Sequence, residues 1–208
     1  MGYILSGSNQ RRVLVTINPR PIEGRWVKGI ALDLHTLSST HVGVDQFGHD
    51  RFENEYSPIG QLLYRLKYQR DQTAAAPIIE AAAKYLRPSL AKFDIIVPVP
   101  PSNHRAVQPV LVLAAGIGRA LGVPVRDCVS KTRSTTALKG VYDPKERKKL
   151  LDGLYEVETK KTAGKNIVLF DDLFRSGATL NEITDLLLSE GEAESVRVLT
   201  ITRTRSNR

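Results

Sequence analysis

The chain has 208 residues, of which 41% are hydrophobic, and its formal net charge is +8. A wholly disordered chain is therefore excluded, and because no stretch of ~18 consecutive apolar residues occurs, no membrane span is expected. A lone cysteine, Cys128, excludes an internal disulfide and fits a reducing compartment, so we expect a cytoplasmic protein whose basic surface favours anionic partners.

Residues 1–50 are predicted to form a small β-rich extension. Strands are indicated by alternating apolar and polar positions in RRVLVTI and RWVKGIALDLHTL, with a turn at NPRPIEG between them. The next stretch, VDQFGHDRFENEYS, is interpreted as a loop. Two of the four histidines, His41 and His49, lie close in sequence to Asp45 and Asp50. A metal site is conceivable there, although loop histidines are usually just solvated.

Residues 51–208 are predicted to form an α/β domain. A first helix is expected to be capped by Ser57 with Pro58 at its first position, and a second helix to be capped by Thr73. Further helices are expected in QPVLVLAAGIGRALG and in residues 178–190. Strands are expected in FDIIVPVP, VPVRDCV, GLYEV, KNIVLFDD and SVRVLTITR. These strands are apolar runs that alternate with helices, which predicts a doubly wound parallel sheet with helices on both faces.

Two adjacent acids, Asp171 and Asp172, follow the apolar run IVLF at the expected carboxyl end of a strand. In doubly wound sheets, ligands bind beyond this edge. Carboxylates there can accept hydrogen bonds from vicinal hydroxyls. The following loop and helix start offer free N–H groups, hydroxyls and one cation, which suit a phosphate. The loop residues are Arg175, Ser176, Gly177, Ala178 and Thr179.

This pattern predicts a sugar-phosphate site. Two other interpretations stay open at this point. The first is an ordinary strand-to-helix turn in which an aspartate caps the helix. The second is a phospho-acceptor aspartate as in receiver domains, although there the acid pair belongs early in the chain and here it comes near the end.

The stretch VLFDDLFRSGATL resembles the phosphoribosyl pyrophosphate signature of type I phosphoribosyltransferases. Three further stretches resemble the ComF competence-protein branch of that family: YSPIGQLLYRLKYQRD, FDIIVPVPPSNHR and LKGVYDPKERKKLLDGLYEV. The resemblance runs from about Tyr56 to the end of the chain. It departs from the family at Arg175 and Ser176, where a Thr-Thr pair is usual, and at RAVQPV, which lacks the usual Gly and Asn. The zinc-binding cysteines at the start of many ComF-like proteins are also absent.

The resemblance implies a type I phosphoribosyltransferase-like fold that binds phosphoribosyl pyrophosphate, or a nucleotide, with Mg²⁺. It places the ribose on Asp171 and Asp172, which would contact the metal directly or through water, and the 5′-phosphate on residues 175–179. The residues expected at the pyrophosphate are Ser102, Asn103 and Arg105. No general base stands out, so the expected enzyme has an unknown acceptor. The alternative is a non-catalytic nucleotide-binding regulator or a partner in DNA uptake and processing.

A basic segment, residues 131–149, carries seven basic and two acidic residues, a local net charge of +5. Phosphoribosyltransferases close a mobile loop at this place, and the loop candidates are Lys131, Arg133 and Lys139. The segment could instead bind nucleic acid, assisted by Tyr142 and Tyr155, or be a solvated loop without function. We also expect a homodimer.

Overall fold

The computed structural model describes residues 15–101, 108–133 and 153–205. The elements in chain order are β1 (Arg20–Pro21), β2 (Lys28–Leu34), β3 (Thr36–Val44), β4 (Asp50–Tyr56), α1 (Pro58–Tyr68), α2 (Ala75–Leu86), β5 (Ile95–Pro98), α3 (Pro109–Leu121), β6 (Val129–Lys131), β7 (Tyr155–Val157), β8 (Asn166–Phe174), α4 (Ala178–Ser189) and β9 (Ser195–Arg203). None of the helices in these ranges is long and apolar enough to cross a membrane.

A five-stranded sheet has the order β1-β2-β9-β8-β5. Strands β2, β9, β8 and β5 run parallel, and the short β1 is antiparallel to β2. Strand β8 has a strand on each side and helices above and below, and its residues 167–170 are accordingly apolar and buried on both faces. The predicted parallel α/β sheet is confirmed.

Alternate residues of β8 point to opposite faces of the sheet and therefore enter two different cores. Val168 and Phe170 pack with residues of α1, α2 and α3. Ile167 and Leu169 pack with residues of α4, among them Ile183. The helices thus cover both faces, as the sequence predicted, and the carboxyl ends of the parallel strands meet at one edge.

The start of α1 is as predicted, whereas the start of α2 is not. Ser57 Oγ accepts a hydrogen bond from the Gly60 N–H, and Pro58 occupies the first helical position. The prediction that Thr73 caps the second helix was wrong. Asp71 instead caps a 3₁₀ turn over Gln72–Ala74 that leads into α2, because its carboxylate reaches the Thr73 N–H at 3.0 Å.

The interpretation of residues 44–57 as a loop was wrong, because β3 and β4 pair as an antiparallel hairpin across residues 36–56. Its turn is held by Asp45, whose carboxylate accepts the N–H groups of Phe47 and His49. Residues 15–17, expected in a strand, have no strand structure. Strand β2 belongs to the central sheet, so residues on both sides of position 50 share one sheet with the rest of the chain; the domain division there stays a prediction.

The hairpin histidines contact single acids. His41 Nε2 lies 3.0 Å from Asp50 Oδ1, and His49 Nδ1 lies 3.4 Å from Asp45 Oδ2. Across the ranges that the structure describes, no three His, Cys, Asp or Glu side chains come together in a way that could hold a metal ion. The two pairs therefore do not combine into a metal centre.

Candidate functional site

The acid pair, Asp171 and Asp172, lies in the second half of β8 and not in a loop. The strand continues to Phe174, and Asp171 is in register with Thr200 of β9. On the other side, β5 ends at Pro98, in register with Phe170. The acids therefore lie just beyond the end of one neighbouring strand. The position at the carboxyl edge agrees with the sequence prediction, and both side chains are half-buried.

Asp172 forms an ion pair with Lys67, a residue of α1 that the sequence analysis did not assign to the site. Lys67 Nζ lies 2.8 Å from Asp172 Oδ1, and the two side chains are only 12% and 14% exposed. Alternation along β8 directs Asp172 to the face that α1 covers, which explains the contact. The signal in the sequence was the stretch RLKYQRD, which carried part of the family resemblance.

Asp171 is the half of the pair whose ionisation is disfavoured. Loss of solvation and then the Asp172 carboxylate raise the pKa of Asp171 to about 7, while the Asp172 N–H and the Lys67 ammonium act weakly in the opposite direction. The Asp172 N–H donates to Asp171 Oδ1 at 2.8 Å. Asp171 can therefore take up or release a proton near neutral pH.

His35, at the carboxyl end of β2, is a second residue that the sequence did not reveal. Its Nδ1 lies 3.2 Å from Thr202 Oγ1, and its ring packs edge-on against Tyr56 at 5.5 Å. Burial, the Lys67 ammonium and Arg175 lower the pKa of His35, and Asp172 only partly opposes them. A neutral imidazole thus lies within the electrostatic reach of the acid pair.

Three tyrosines extend this edge with an aromatic surface. Tyr56 lies 5.0 Å from Tyr64, and Tyr64 lies 5.2 Å from Tyr68, measured between ring centres. Tyr64 and Tyr68 belong to the same helix as Lys67. Side chains spaced by one turn on α1 thus carry both the cation of the site and planar rings beside it.

Residues 175–179 form the glycine loop that leads from β8 into α4. Gly177 is the N-cap of α4 with φ 74° and ψ −2°, and no side chain caps the first N–H groups of this helix. The positive φ at Gly177 favours glycine, and a Cβ there would crowd the Phe174 ring at 3.0 Å from Cε2. Open N–H groups at a helix start, with the positive end of the helix dipole, suit an anion.

The remaining predicted site residues are placed as follows. Lys131 belongs to strand β6 rather than to a loop, and its Nζ donates to the Pro101 carbonyl at 3.0 Å. Burial lowers the pKa of Lys131. Arg133 is exposed just after this strand. The other predicted site residues lie outside the described residues: Ser102, Asn103, Arg105 and Lys139.

The acid pair can hold a magnesium ion only if a phosphate-containing ligand supplies part of the metal's coordination shell. The two carboxylates are hard oxygen donors, but one oxygen of Asp172 already accepts from Lys67. Nowhere in the described ranges do three acidic or metal-binding side chains converge. A Mg²⁺ ion here would take its other ligands from phosphate oxygens and water, which is the mode of binding that Mg²⁺ prefers.

The acid pair, Lys67 and the glycine loop, called the acid-pair edge below, lie within the region that known proteins share with this chain. The family model "Phosphoribosyl transferase domain" matches residues 67–208. Competence protein ComFC of Bacillus subtilis (strain 168) is 28% identical over 112 residues, which are 54% of this chain and 45% of that protein. The match thus spans less than half the length of this relative.

The chain is also similar to solved structures. Adenine phosphoribosyltransferase from Saccharomyces cerevisiae is 18% identical, with 80% of this chain and 85% of that chain covered and a TM-score of 0.47. Glutamine phosphoribosylpyrophosphate amidotransferase from B. subtilis is 19% identical, with 76% and 35% covered and a TM-score of 0.45.

Proposed function

Because the chain belongs to the phosphoribosyl transferase domain family, we propose that it binds phosphoribosyl pyrophosphate with Mg²⁺ at the acid-pair edge and transfers the phosphoribosyl group to an acceptor. The observation that carries the proposal is the acid pair on β8 directly before the uncapped N-terminus of α4. This arrangement offers acceptors for sugar hydroxyls and donors for a phosphate within one short stretch. The sequence resemblance to the ComF branch agrees with the similarity to ComFC.

Separate groups of residues would bind the ribose, the 5′-phosphate and the pyrophosphate of the ligand. Asp171 and Asp172 accept hydrogen bonds from the ribose hydroxyls, and Lys67 holds the Asp172 carboxylate in one orientation. The glycine loop donates its N–H groups to the 5′-phosphate. Ser102, Asn103 and Arg105 remain the proposed contacts of the pyrophosphate. Bound Mg²⁺ would neutralise negative charge on the pyrophosphate.

In the transfer, the bond from ribose C1 to a pyrophosphate oxygen breaks, and pyrophosphate leaves with the electron pair. A bond from C1 to the acceptor forms through an oxocarbenium-like state, as in glycoside chemistry. The proton lost by the acceptor needs a base. The neutral imidazole of His35, half-buried at the same edge, is suited to take it.

The test is an assay of pyrophosphate release. The protein is incubated with phosphoribosyl pyrophosphate, Mg²⁺ and a panel of nucleobases, and binding of phosphoribosyl pyrophosphate is measured separately by calorimetry. We expect release that depends on one acceptor. A protein that does not bind phosphoribosyl pyrophosphate at all contradicts the proposal. Asp171→Asn is the test variant for the acid pair, and we expect it to weaken binding, because the amide oxygen can still accept the Asp172 N–H while the charge is lost.

A second candidate function is a non-catalytic nucleotide-binding regulator or a partner in DNA uptake and processing. It is favoured by the similarity to a competence protein and by the net charge of +8. Binding of phosphoribosyl pyrophosphate without release would support the regulator. Salt-dependent binding of a labelled single strand would support a DNA partner, because phosphate contacts weaken as salt rises. The cytoplasmic location and the homodimer stay predictions.

A further inference from the structure

A short segment near the start of the chain contacts helix α4. Residues 22–27, called the strap below, connect β1 to β2 and precede the residues that the family model matches. The Arg25 N–H donates to Asn181 Oδ1 at 2.8 Å, and the Arg25 guanidinium forms an ion pair with the Asp185 carboxylate. Asn181 and Asp185 are neighbours on the surface of α4, one turn apart. The strap is therefore attached to the helix that begins in the glycine loop.

Trp26 fixes the strap on the body of the protein. This residue is 7% exposed and belongs to the core that α4 covers. Its Nε1–H donates to the Ile22 carbonyl at 3.0 Å, and a Cβ at Gly24 or at Gly29 would overlap its ring. A large side chain that is closely packed and also hydrogen-bonded keeps one orientation. The strap therefore has a defined position relative to α4 and β8.

Two series of contacts connect the strap to Gly177. In the first, the Trp26 ring packs edge-on against the Phe174 ring, with 6.3 Å between the ring centres and 87° between the planes. The Phe174 ring would lie 3.0 Å from a Cβ at Gly177. In the second, Asn181, which accepts the hydrogen bond from the strap, donates its own N–H to the Gly177 carbonyl at 2.8 Å. Packing and hydrogen bonds thus couple the position of the strap to that of Gly177.

The glycine loop depends on such support because its donors to a phosphate are backbone groups. No side chain caps the first N–H groups of α4, and Gly177 has no side chain that could anchor it. The direction of these N–H groups is therefore set by the elements that pack against the loop. A displacement of active-site groups by about 1 Å can cost about 100-fold in activity, even when its cause lies far from the chemistry.

We propose that the strap positions the glycine loop for the 5′-phosphate, with Trp26 and Asn181 as the positioning residues. Because the proposed function places the phosphate on this loop, the role of the strap rests on that function. Neither residue belongs to residues 175–179, and Trp26 also lies outside the region that the family model matches. Residues that precede the family domain thus contribute to ligand affinity without contacting the ligand.

The test is calorimetric titration of the full chain with ribose 5-phosphate and, separately, with pyrophosphate. The test variants are Trp26→Leu, which removes the aromatic contact with Phe174, and Asn181→Ala, which removes the acceptor of the Arg25 N–H. We expect each variant to bind ribose 5-phosphate about tenfold more weakly than the wild type. The affinity for pyrophosphate should stay unchanged, because its proposed contacts belong to residues 102–105.

Two control variants separate positioning from a general loss of stability. Phe93→Leu truncates an aromatic residue that is 6% exposed and packs in the opposite core, with residues of α1, α2 and α3. It should lower the melting temperature and keep the affinity for ribose 5-phosphate. Asp185→Asn removes the exposed ion pair with Arg25 and should change the affinity little, because exposed ion pairs contribute little.

The outcomes distinguish the role of the strap from the proposed function. A wild type that binds no ribose 5-phosphate overturns both. A wild type that binds it, with both test variants equal to the wild type, overturns the role of the strap alone. A loss that is the same for ribose 5-phosphate and pyrophosphate, or that Phe93→Leu shares, also overturns that role. If Trp26→Leu does not fold, the half-buried Asn181 decides the test through Asn181→Ala.

Discussion

The acid-pair edge and the hairpin invert the usual distribution of side chains in opposite ways. At the acid-pair edge, the charged Lys67 and Asp172 side chains are only 12% and 14% exposed. On the hairpin, the Phe47 side chain is 74% exposed. Charge that is withdrawn from water is costly unless it is paired, and apolar surface left in water is unfavourable. The charge at the acid-pair edge is stabilised by pairing, whereas the apolar side chains of the hairpin stay in contact with water.

The largest effect is expected from Gly177→Val, which should reduce ligand binding at the acid-pair edge and leave the hairpin unchanged. Valine resists a φ of 74° and would place its Cβ against the Phe174 ring. We expect affinity for phosphoribosyl pyrophosphate to fall about 100-fold, measured by calorimetry. Ser176→Ala removes one exposed hydroxyl and should cost about tenfold at most.

Gly164→Val is the control for backbone strain in this experiment. Gly164 also has a positive φ, of 64°, but a Cβ there would meet no other atom within 4 Å. This variant should lose stability through strain and keep its affinity for the ligand. If the Gly177 and Gly164 variants bind alike, the glycine loop is an ordinary strand-to-helix turn.

Asp172→Asn tests whether the buried ion pair stabilises the fold. The change removes the carboxylate that Lys67 contacts at 2.8 Å. We expect the free energy of unfolding to fall by about 1–3 kcal/mol, measured by urea denaturation. Lys67→Met combined with Asp172→Asn should cost less than the sum of the two single changes. Additive costs would show that the pair is not coupled.

Asp171→Asn should have a smaller effect of opposite sign. The pKa of Asp171 is raised to about 7 in the folded protein, above its ordinary value of about 4. Between these values the folded state binds more protons than the unfolded state, so the stability of the wild type falls as pH rises. The variant should therefore gain stability over this window, on the order of 1 kcal/mol at pH 8. A difference that is the same at pH 4 and pH 8 would contradict the raised pKa.

The smallest effect on stability is expected from Phe47→Ser in the hairpin. The ring is 74% exposed, so its removal should change the free energy of unfolding by less than about 0.5 kcal/mol. The measurement is thermal denaturation of the variant and the wild type at the same protein concentration. A large loss of stability would contradict this expectation and would show that the Phe47 ring contributes to the fold of the chain.

The sequence predicted the sheet around β8 well, because its apolar run and the acids that follow have a distinct local pattern. The end of the strand could not be predicted. Phe174 continues the strand because its ring packs against Trp26 at 6.3 Å, a contact between residues far apart in the chain. Lys67 was missed as a site residue for a related reason: 105 residues separate it from Asp172, and no spacing rule connects them.

The hairpin was missed because neither of its faces is buried. Strand β4, with the sequence DRFENEY, has no apolar alternation, and its residues are held by pairing with β3. Periodicity detects strands through the face that they bury, so a strand without a buried face gives no signal. His35 was missed because the residues that act on it are distant in the sequence: Thr202 of β9 lies within hydrogen-bonding distance of its ring, and Lys67 of α1 lowers its pKa.

The most direct test of the central claim is a calorimetric titration of the wild type with phosphoribosyl pyrophosphate, with and without Mg²⁺. Ribose 5-phosphate and pyrophosphate are titrated separately. If the acid pair holds the ribose and the glycine loop holds the 5′-phosphate, the whole ligand with Mg²⁺ should bind more tightly than either fragment. Gly177→Val should weaken binding of ribose 5-phosphate and of the whole ligand and leave the affinity for pyrophosphate unchanged. Equal affinity for the whole ligand and for pyrophosphate alone would contradict the account, since the acid-pair edge would then contribute nothing to binding.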